Sequence, residues 1–489
     1  MTKLTHLEPK EVFRFYEEIL SIPHESGNEK ALSDYCVRFA KDRGLSVYQD
    51  PVNNVLISKA ATPGQEHRPG IILQAHLDMV CVADPGVEID FAKDPIPYYI
   101  DGDYIRAHGT TLGSDDGHGI AMALAALDSD TLQHPALQVL FTVEEETTFA
   151  GAENVDGNLL NGKYYIGLDY VDDQAILVSC GGSSDNIATL DTPLVPLNNP
   201  ADYTILTLDF AEAAGGHSAL EIHKYGINCI KAMSELLSQL NNVYTIELVH
   251  VEGGTKLNAI PTWATARICC LTTQLEQIQR HIADFANAMC HKYRETDPNF
   301  HITYSVETVP AELQVLSAKN NLLYLLDVHP NGVITWIDPK KNIVESSLNM
   351  GILKTTEHQV ILYSLVRSNN DYFHEELIRK VKTFIESAGA EYRIESKCSS
   401  WDYNPDSSLQ AQACAIYERI HGHKPKLDLA HGQVETGAIM QKMKVCGKYI
   451  EAIGISPESG GAHTTSENLS ISSMAKTYAF LCAMLEELE

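Results

Sequence analysis

Apolar residues at helical spacing open the chain. PKEVFRFYEEILSI over residues 9–22 repeats them every three or four positions, and Pro9 suits a helix start. A second helix is predicted over 28–44, ending near Gly44, with a strand over Leu45–Tyr48. Val55–Ser58 and Gly70–Ala75 are apolar and β-prone. Gly117–Leu127, small and apolar at helical period, predicts a helix, followed by the strand Ala136–Thr142 and the short strand Tyr164–Leu168. Strands alternating with helices predict an α/β domain around a largely parallel sheet. Such sheets take their ligands at the carboxyl ends of the strands.

The pattern changes near residue 185. Segments 203–210, 243–252, 263–271 and 301–308 alternate as half-buried strands do, with helical segments 225–240 and 273–293 between them. Strand-like runs return over 331–338, 344–353 and 358–367, and a helix over 373–388. Two strand–helix passes predict an α+β insert, with internal duplication as one account of it. From about 398 the α/β pattern resumes, with a helix over 407–421, a strand over Tyr449–Ile455 and a last helix near 471–487. The predicted organisation is a two-domain α/β chain. A catalytic domain is built from residues 1–186 and 398–489 and interrupted by an inserted α+β domain over 187–397.

Length agrees with this division, because single cores stop growing at about 250–300 residues and the chain has 489. No run approaches the roughly 18 apolar residues of a membrane helix. The opening segment, MTKLTHLEPKEVFRFYEEIL, is polar and amphipathic, so a plain first helix is expected rather than a secretory signal. Thirty-six Lys and Arg against 65 Asp and Glu give a formal charge of −29, spread along the chain. Such a surface repels phosphate backbones, which argues against a nucleic-acid partner. The 11 Cys are scattered apart from Cys269–Cys270, match no zinc-ribbon spacing, and fit reduced thiols in a cytoplasmic protein.

Against that background five local features carry chemistry. ILQAHLDMV places His76 and Asp78 just after an apolar run, two apart and so on one side of a strand. That suits a metal ligand and the carboxylate that orients it, although a strand-end turn uses the same residues. GTTLGSDDGHG sets Asp115 and Asp116 between glycines at a helix start; paired carboxylates repel unless a cation or proton separates them, and an Asp cap is the ordinary alternative. LFTVEEETTFAGA puts Glu144, Glu145 and Glu146 directly after a strand, where a solvated acidic loop is the ordinary alternative. YYIGLDY ends a strand on Asp169, and GGAHTTSENLSI holds His463 in a Gly-rich loop before the last helix. Together they offer oxygen and nitrogen donors without thiolate at several strand ends, which fits a catalytic zinc or manganese site better than a structural one. One bridging carboxylate would make it a two-metal hydrolase.

In this order, HLDMV, GTTLGSDDG, VEEE, GLDY and GGAHTTSE resemble the two-zinc aminopeptidase, aminoacylase and carboxypeptidase G superfamily. SIPHESGNE, FAKDPIPYYIDGDYIRAHGTTLGSDDG, GGHSALEIHKYGIN, GGTKLNAIP and DYNPDSSL extend the likeness over nearly the whole chain, to its bacterial aminoacyl-histidine dipeptidase (cytosol non-specific dipeptidase) branch. The resemblance implies an α/β/α zinc-peptidase domain with an inserted lid or dimerisation domain. It implies that His76 and Asp169 hold one zinc, Glu146 and His463 the other, and Asp115 both, with manganese or cobalt as alternative metals. Asp78 would orient His76, and Glu145 would be the general base. His217 would polarise the scissile carbonyl, and Asn258 and Arg367 would bind near the peptide carboxylate. AHGQVETG departs from the branch's His-Ala-Gly-Leu-Glu pattern: Glu435 stays in register, but Gly432, Gln433 and Val434 replace the usual residues near the substrate. The implied activity is hydrolysis of unblocked dipeptides, Xaa-His included, by a cytoplasmic homodimer joined through the lid, with a small peptide as its partner and no membrane or nucleic acid. The alternatives are an aminoacylase, tripeptidase or carboxypeptidase of the same superfamily, or a catalytically silent metal-binding scaffold.

Overall fold

A computed structural model describes residues 3–489. The chain folds as two compact units: residues 1–180, 403–429 and 434–489 form the first, and residues 181–402 with 430–433 form the second. The sequence places the breaks at 186/187 and 397/398. The earlier first break follows from strand Gly182–Asp191, which already pairs with strand Gln359–Ser368 of the second unit.

The first unit is built on an eight-stranded sheet. Its centre is parallel: strand Ile71–His76 lies between Leu137–Thr142 and Tyr164–Gly167, and Tyr164–Gly167 also pairs with Glu451–Gly454. Outside that centre, Val55–Lys59 runs antiparallel to Leu137–Thr142, and Ser46–Gln49 antiparallel to Val55–Lys59. The sheet is therefore mixed rather than largely parallel. Sequence period shows where a strand lies, but the direction of its neighbour is set by the connections.

Every residue of Ile71–His76 is buried, as a strand covered on both faces must be. Ile71, Leu73 and Ala75 join a core shared with helices Lys10–Leu20, Lys30–Asp42, Ser114–Asp128, Ser408–His421 and Ile471–Glu487. Helix Lys10–Leu20 buries Val12, Phe13, Phe15, Tyr16, Ile19 and Leu20 along one stripe, each worth about 1.5–3 kcal/mol when removed from water. Helix Ser114–Asp128 is buried along nearly its whole length, which explains its small-residue composition. A Cβ at Gly117 would stand 3.1 Å from the Tyr16 ring. The opposite face of Ile71–His76 carries Gln74, whose Oε1 accepts from the Tyr165 hydroxyl at 3.0 Å.

In the second unit both strand–helix passes enter one nine-stranded antiparallel sheet. Helices Cys229–Val243, Leu275–Lys292, Lys319–Val328 and Asp371–Ser387 cover it through a single core that includes Leu206, Leu236, Leu325, Val366 and Val381. Side chains alternate along a strand, so Val366 on the helix side places Arg367 on the other face. Among the described residues no helix is long and apolar enough to cross a membrane.

Candidate active site

The carboxyl ends of three central strands deliver His76, Glu146 and Asp169 to one place, where the start of helix Ser114–Asp128 brings Asp115 and the loop between Ser459–Gly460 and Asn468–Ser470 brings His463. His76 ends its strand with its side chain fully buried. Its Nδ1 lies 3.0 Å from the main-chain oxygen of Asp78, which can only accept, so Nδ1 carries a proton and Nε2 is the ligating side. Nε2 meets Asp115 Oδ1 at 3.0 Å and Asp169 Oδ2 at 3.9 Å. On the other side of Asp115, His463 Nε2 is 3.6 Å from Asp115 Oδ2 and 2.8 Å from Glu146 Oε1. Asp115 thus stands between two imidazoles, one oxygen towards each. Ligand atoms of His76, Asp115 and Glu146 lie within 4.8 Å of one another.

Asp78 also holds the acidic run. Its Oδ1 accepts from the Glu145 N–H at 2.9 Å, and its Oδ2 accepts from the Glu146 N–H at 3.1 Å and from Ser26 Oγ at 2.8 Å. The last two amides of the acidic run are therefore held by one carboxylate, with Glu144 in the left-handed region at φ 53°. The Glu144 carboxylate accepts from Thr148 Oγ1 at 2.7 Å. Asp116 caps the helix that follows: its carboxylate accepts from the Gly119 N–H at 3.1 Å and from the His76 N–H at 3.2 Å.

The electrostatics are those of a cation site. Burial, together with the negative charges of Asp169, Glu146 and Glu435, pushes the Glu145 carboxyl well above the usual carboxylate range. Burial and the Asp115 charge do the same to Asp169. Asp115 goes the other way, because bonds from His463 and His76 outweigh its burial. Hydrogen bonds to Asp115 and Glu146 push His463 up to about 10. Crowded carboxylates of this kind call for positive charge between them, which divalent cations would supply, and the oxygen and nitrogen donor set suits them.

Sequence reasoning passed over three buried groups around the cage. Glu467 is 3% exposed and accepts from the segment that carries Asp115. His118 is 1% exposed and lies between the main-chain oxygens of Ser114 and Leu168. Glu29 is 4% exposed and accepts from the Glu144 N–H at 3.2 Å. Their residue types match those of many solvated loop positions, and only adjacency to a ligand could have drawn notice. Glu435, expected beside a substrate, is 2% exposed, and its Oε1 has no hydrogen-bond partner. Its Oε2 accepts from Gln74 Nε2 at 2.8 Å and Thr142 Oγ1 at 2.5 Å, on the sheet face that Gln74 shares with His76, and burial lifts its carboxyl to about 7.

His217, Asn258 and Arg367 lie in the second unit. The Ser218 N–H donates to the main-chain oxygen of Asn258 at 2.8 Å, so the His217 and Asn258 turns are joined. Arg367 is 5% exposed, and its Nε and Nη1 have no hydrogen-bond partner. Burial pulls its guanidinium down to about 10. Burial and the Arg367 charge keep the His217 imidazole below its usual range. His431, in the departing AHGQVETG segment, is held by Ser347 Oγ at 2.7 Å and Asn369 Oδ1 at 2.8 Å.

A cage of carboxylates and imidazoles at the strand ends of a mixed α/β unit, in a chain with an inserted antiparallel unit, defines a metal-dependent hydrolase. A model of Peptidase family M20/M25/M40 matches residues 72–487, and the chain belongs to that family and is a metallopeptidase. It is 30% identical over 488 residues to the cytosol non-specific dipeptidase of Escherichia coli K12, covering 100% of this chain and 99% of that protein. The crystal structure of aminoacylhistidine dipeptidase from Vibrio alginolyticus matches with a TM-score of 0.91 at 30% identity, over 100% of this chain and 98% of that one. An aminopeptidase from Bacillus cereus, at 16% identity and a TM-score of 0.56 over 99% of both chains, shares the fold.

Proposed function

We propose that the protein is a dipeptidase that hydrolyses unblocked dipeptides, Xaa-His among them, at a site for two divalent cations, with zinc as the metal and manganese or cobalt as substitutes. The observation that carries the reading is Asp115 standing between His76 and His463, one carboxylate oxygen towards each imidazole. His76 and Asp169 would hold one ion, Glu146 and His463 the other, and Asp115 both. Bound there, the ions would act as Lewis acids and lower the pKa of a water from 15.7 toward about 7.

The chain's own groups do the rest. Asp78 fixes the His76 tautomer and the turn that presents Glu145. Glu145 is the general base: it takes the proton of the attacking water and returns it to the leaving amine. Its crowding by Asp169 and Glu146 disfavours negative charge there, and cations would relieve that crowding. His217 would polarise the scissile carbonyl, and Asn258 and Arg367 would bind the free carboxylate of the dipeptide. A buried guanidinium with two unpaired nitrogens supports an anionic ligand for Arg367. Glu435 would stand beside the substrate; its Oε2 is held by Gln74 and Thr142, and its unpartnered Oε1 supports that reading. The names of the two 30% relatives support the dipeptide substrate, and that of the first also supports a cytoplasmic location. A homodimer through the second unit completes the reading. Strand His301–Thr308 supports it, an edge with Tyr304 40% and Val306 46% exposed.

The test is Glu145→Gln. The variant keeps the metal content of the wild type and loses about 10²- to 10⁴-fold in kcat on Xaa-His dipeptides. Wild-type turnover by that variant would remove Glu145 as the base. A matched panel of free and N-acetylated dipeptides separates the dipeptidase reading from an aminoacylase, since preference for the acetylated members would overturn it.

A further inference from the structure

One buried carboxylate joins the two parts of the cage that come from opposite ends of the chain. Glu467 Oε2 accepts from the N–H groups of Leu112 at 2.7 Å and Gly113 at 3.0 Å. Its Oε1 accepts from the Ser114 N–H at 2.8 Å, Ser114 Oγ at 2.9 Å and the Asp115 N–H at 3.3 Å. Four consecutive main-chain amides and a hydroxyl thus converge on one side chain. No lysine or arginine pairs with it among the described residues. Gly113, at φ 71°, makes the turn that aims those amides inward.

The other end of the connection is equally short. His463 sits four residues before Glu467, in the loop between strands Ser459–Gly460 and Asn468–Ser470. Two turns brace that loop: the Thr464 N–H donates to Gly461 O at 3.1 Å, and the Glu467 N–H donates to Thr464 O at 3.1 Å. The His463 side chain is 49% exposed, and the contacts of its Nε2 are with Glu146 and Asp115. Packing therefore does little to hold that imidazole. Its place relative to Asp115 is set through the loop, and the loop is fastened to the Asp115 segment by Glu467.

We propose that Glu467 is a positioning residue that sets the spacing between Asp115 and His463, and with it the affinity of the half-site that His463 completes. This rests on the two-cation reading above. Both oxygens are needed. In Glu467→Gln one oxygen becomes an amide NH2, which faces backbone donors and cannot accept from them.

The experiment loads wild type and Glu467→Gln with zinc and follows its release to a chromophoric chelator, with elemental analysis of the loaded proteins. The wild type carries two zinc ions, and a single ion in it would overturn the two-cation reading itself. In Glu467→Gln one ion leaves about 10- to 100-fold faster while the other keeps its wild-type rate. Added zinc then restores kcat with KM unchanged. Release of both ions at wild-type rates, or equal acceleration of both, would overturn the positioning role, because a general loss of stability does not single out one half-site. If Glu467→Gln does not accumulate folded, Glu467→Asp, which keeps the charge but shortens the reach by one methylene, is read by the same two criteria.

Discussion

Asp78 Oδ1 accepts a 2.9 Å hydrogen bond from the backbone N–H of Glu145, so the residue whose main-chain oxygen meets His76 Nδ1 also holds the proposed base. The second oxygen takes the Glu146 N–H, and burial of this carboxyl is outweighed by His76, which draws its pKa down to about 2. Asp78→Asn keeps the shape but offers one acceptor where two are used. The variant is expected to lose about 10- to 100-fold in metal affinity or activity. Competition with a chelator measures the first and dipeptide kinetics the second, and wild-type values in both would refute the double role.

Gly113 is needed twice over. Its φ is 71°, and a Cβ there would stand 2.7 Å from Met79 Sδ, on a side chain that is 2% exposed. Gly113→Ala is expected to cost about 1–3 kcal/mol, read as a lower urea midpoint. It also tilts the amides that Glu467 accepts, so faster zinc release accompanies the loss of stability.

Acid should loosen the second unit through its buried histidines. Burial draws His329 and His374 down to about 4 and His431 to about 3, His431 being lowered further by the Arg367 charge. The unfolded chain takes up those protons near pH 6.5, whereas the folded unit refuses them. Stability is therefore full above about pH 6.5 and falls as the pH drops toward 3–4, by up to about 1.4 kcal/mol per pH unit for each histidine. Asp185 and Glu235, whose carboxyls burial pushes up, oppose this trend. Urea midpoints between pH 7.5 and 5 give the slope. A flatter slope in His374→Gln would identify one contributor, and an identical slope would exclude it.

Arg367→Met tests the carboxylate subsite. KM for unblocked dipeptides is expected to rise about tenfold or more, equivalent to about 1.4 kcal/mol, while dipeptide amides respond little. Equal effects on acids and amides would place the guanidinium elsewhere in the chemistry.

How much of this was legible follows from how far each signal reaches along the chain. The last helix was read over 471–487 and is Ile471–Glu487, because amphipathic period is a local property. The strand ends bearing His76, Glu146 and Asp169 were legible for the same reason: an apolar run stops and a ligand type follows. Parallel and antiparallel neighbours were not, since pairing joins residues that have no common local pattern.

The sequence by itself determined the residue types of the cage, their strand-end positions and the insertion of a second unit. Tertiary structure alone decided which atoms meet. Glu467 and Asp115 are 352 residues apart, and nothing in TTSENLS marks that glutamate as the acceptor for four backbone amides. The register of Glu435 in a loop motif predicts a place beside the substrate, and only the assembled sheet gives it Gln74 and Thr142 as donors. In both cases a buried carboxylate goes where donors await it, and those donors converge only once the chain has folded: Gln74 and Thr142 across the paired sheet, the 112–115 amides around the Gly113 turn.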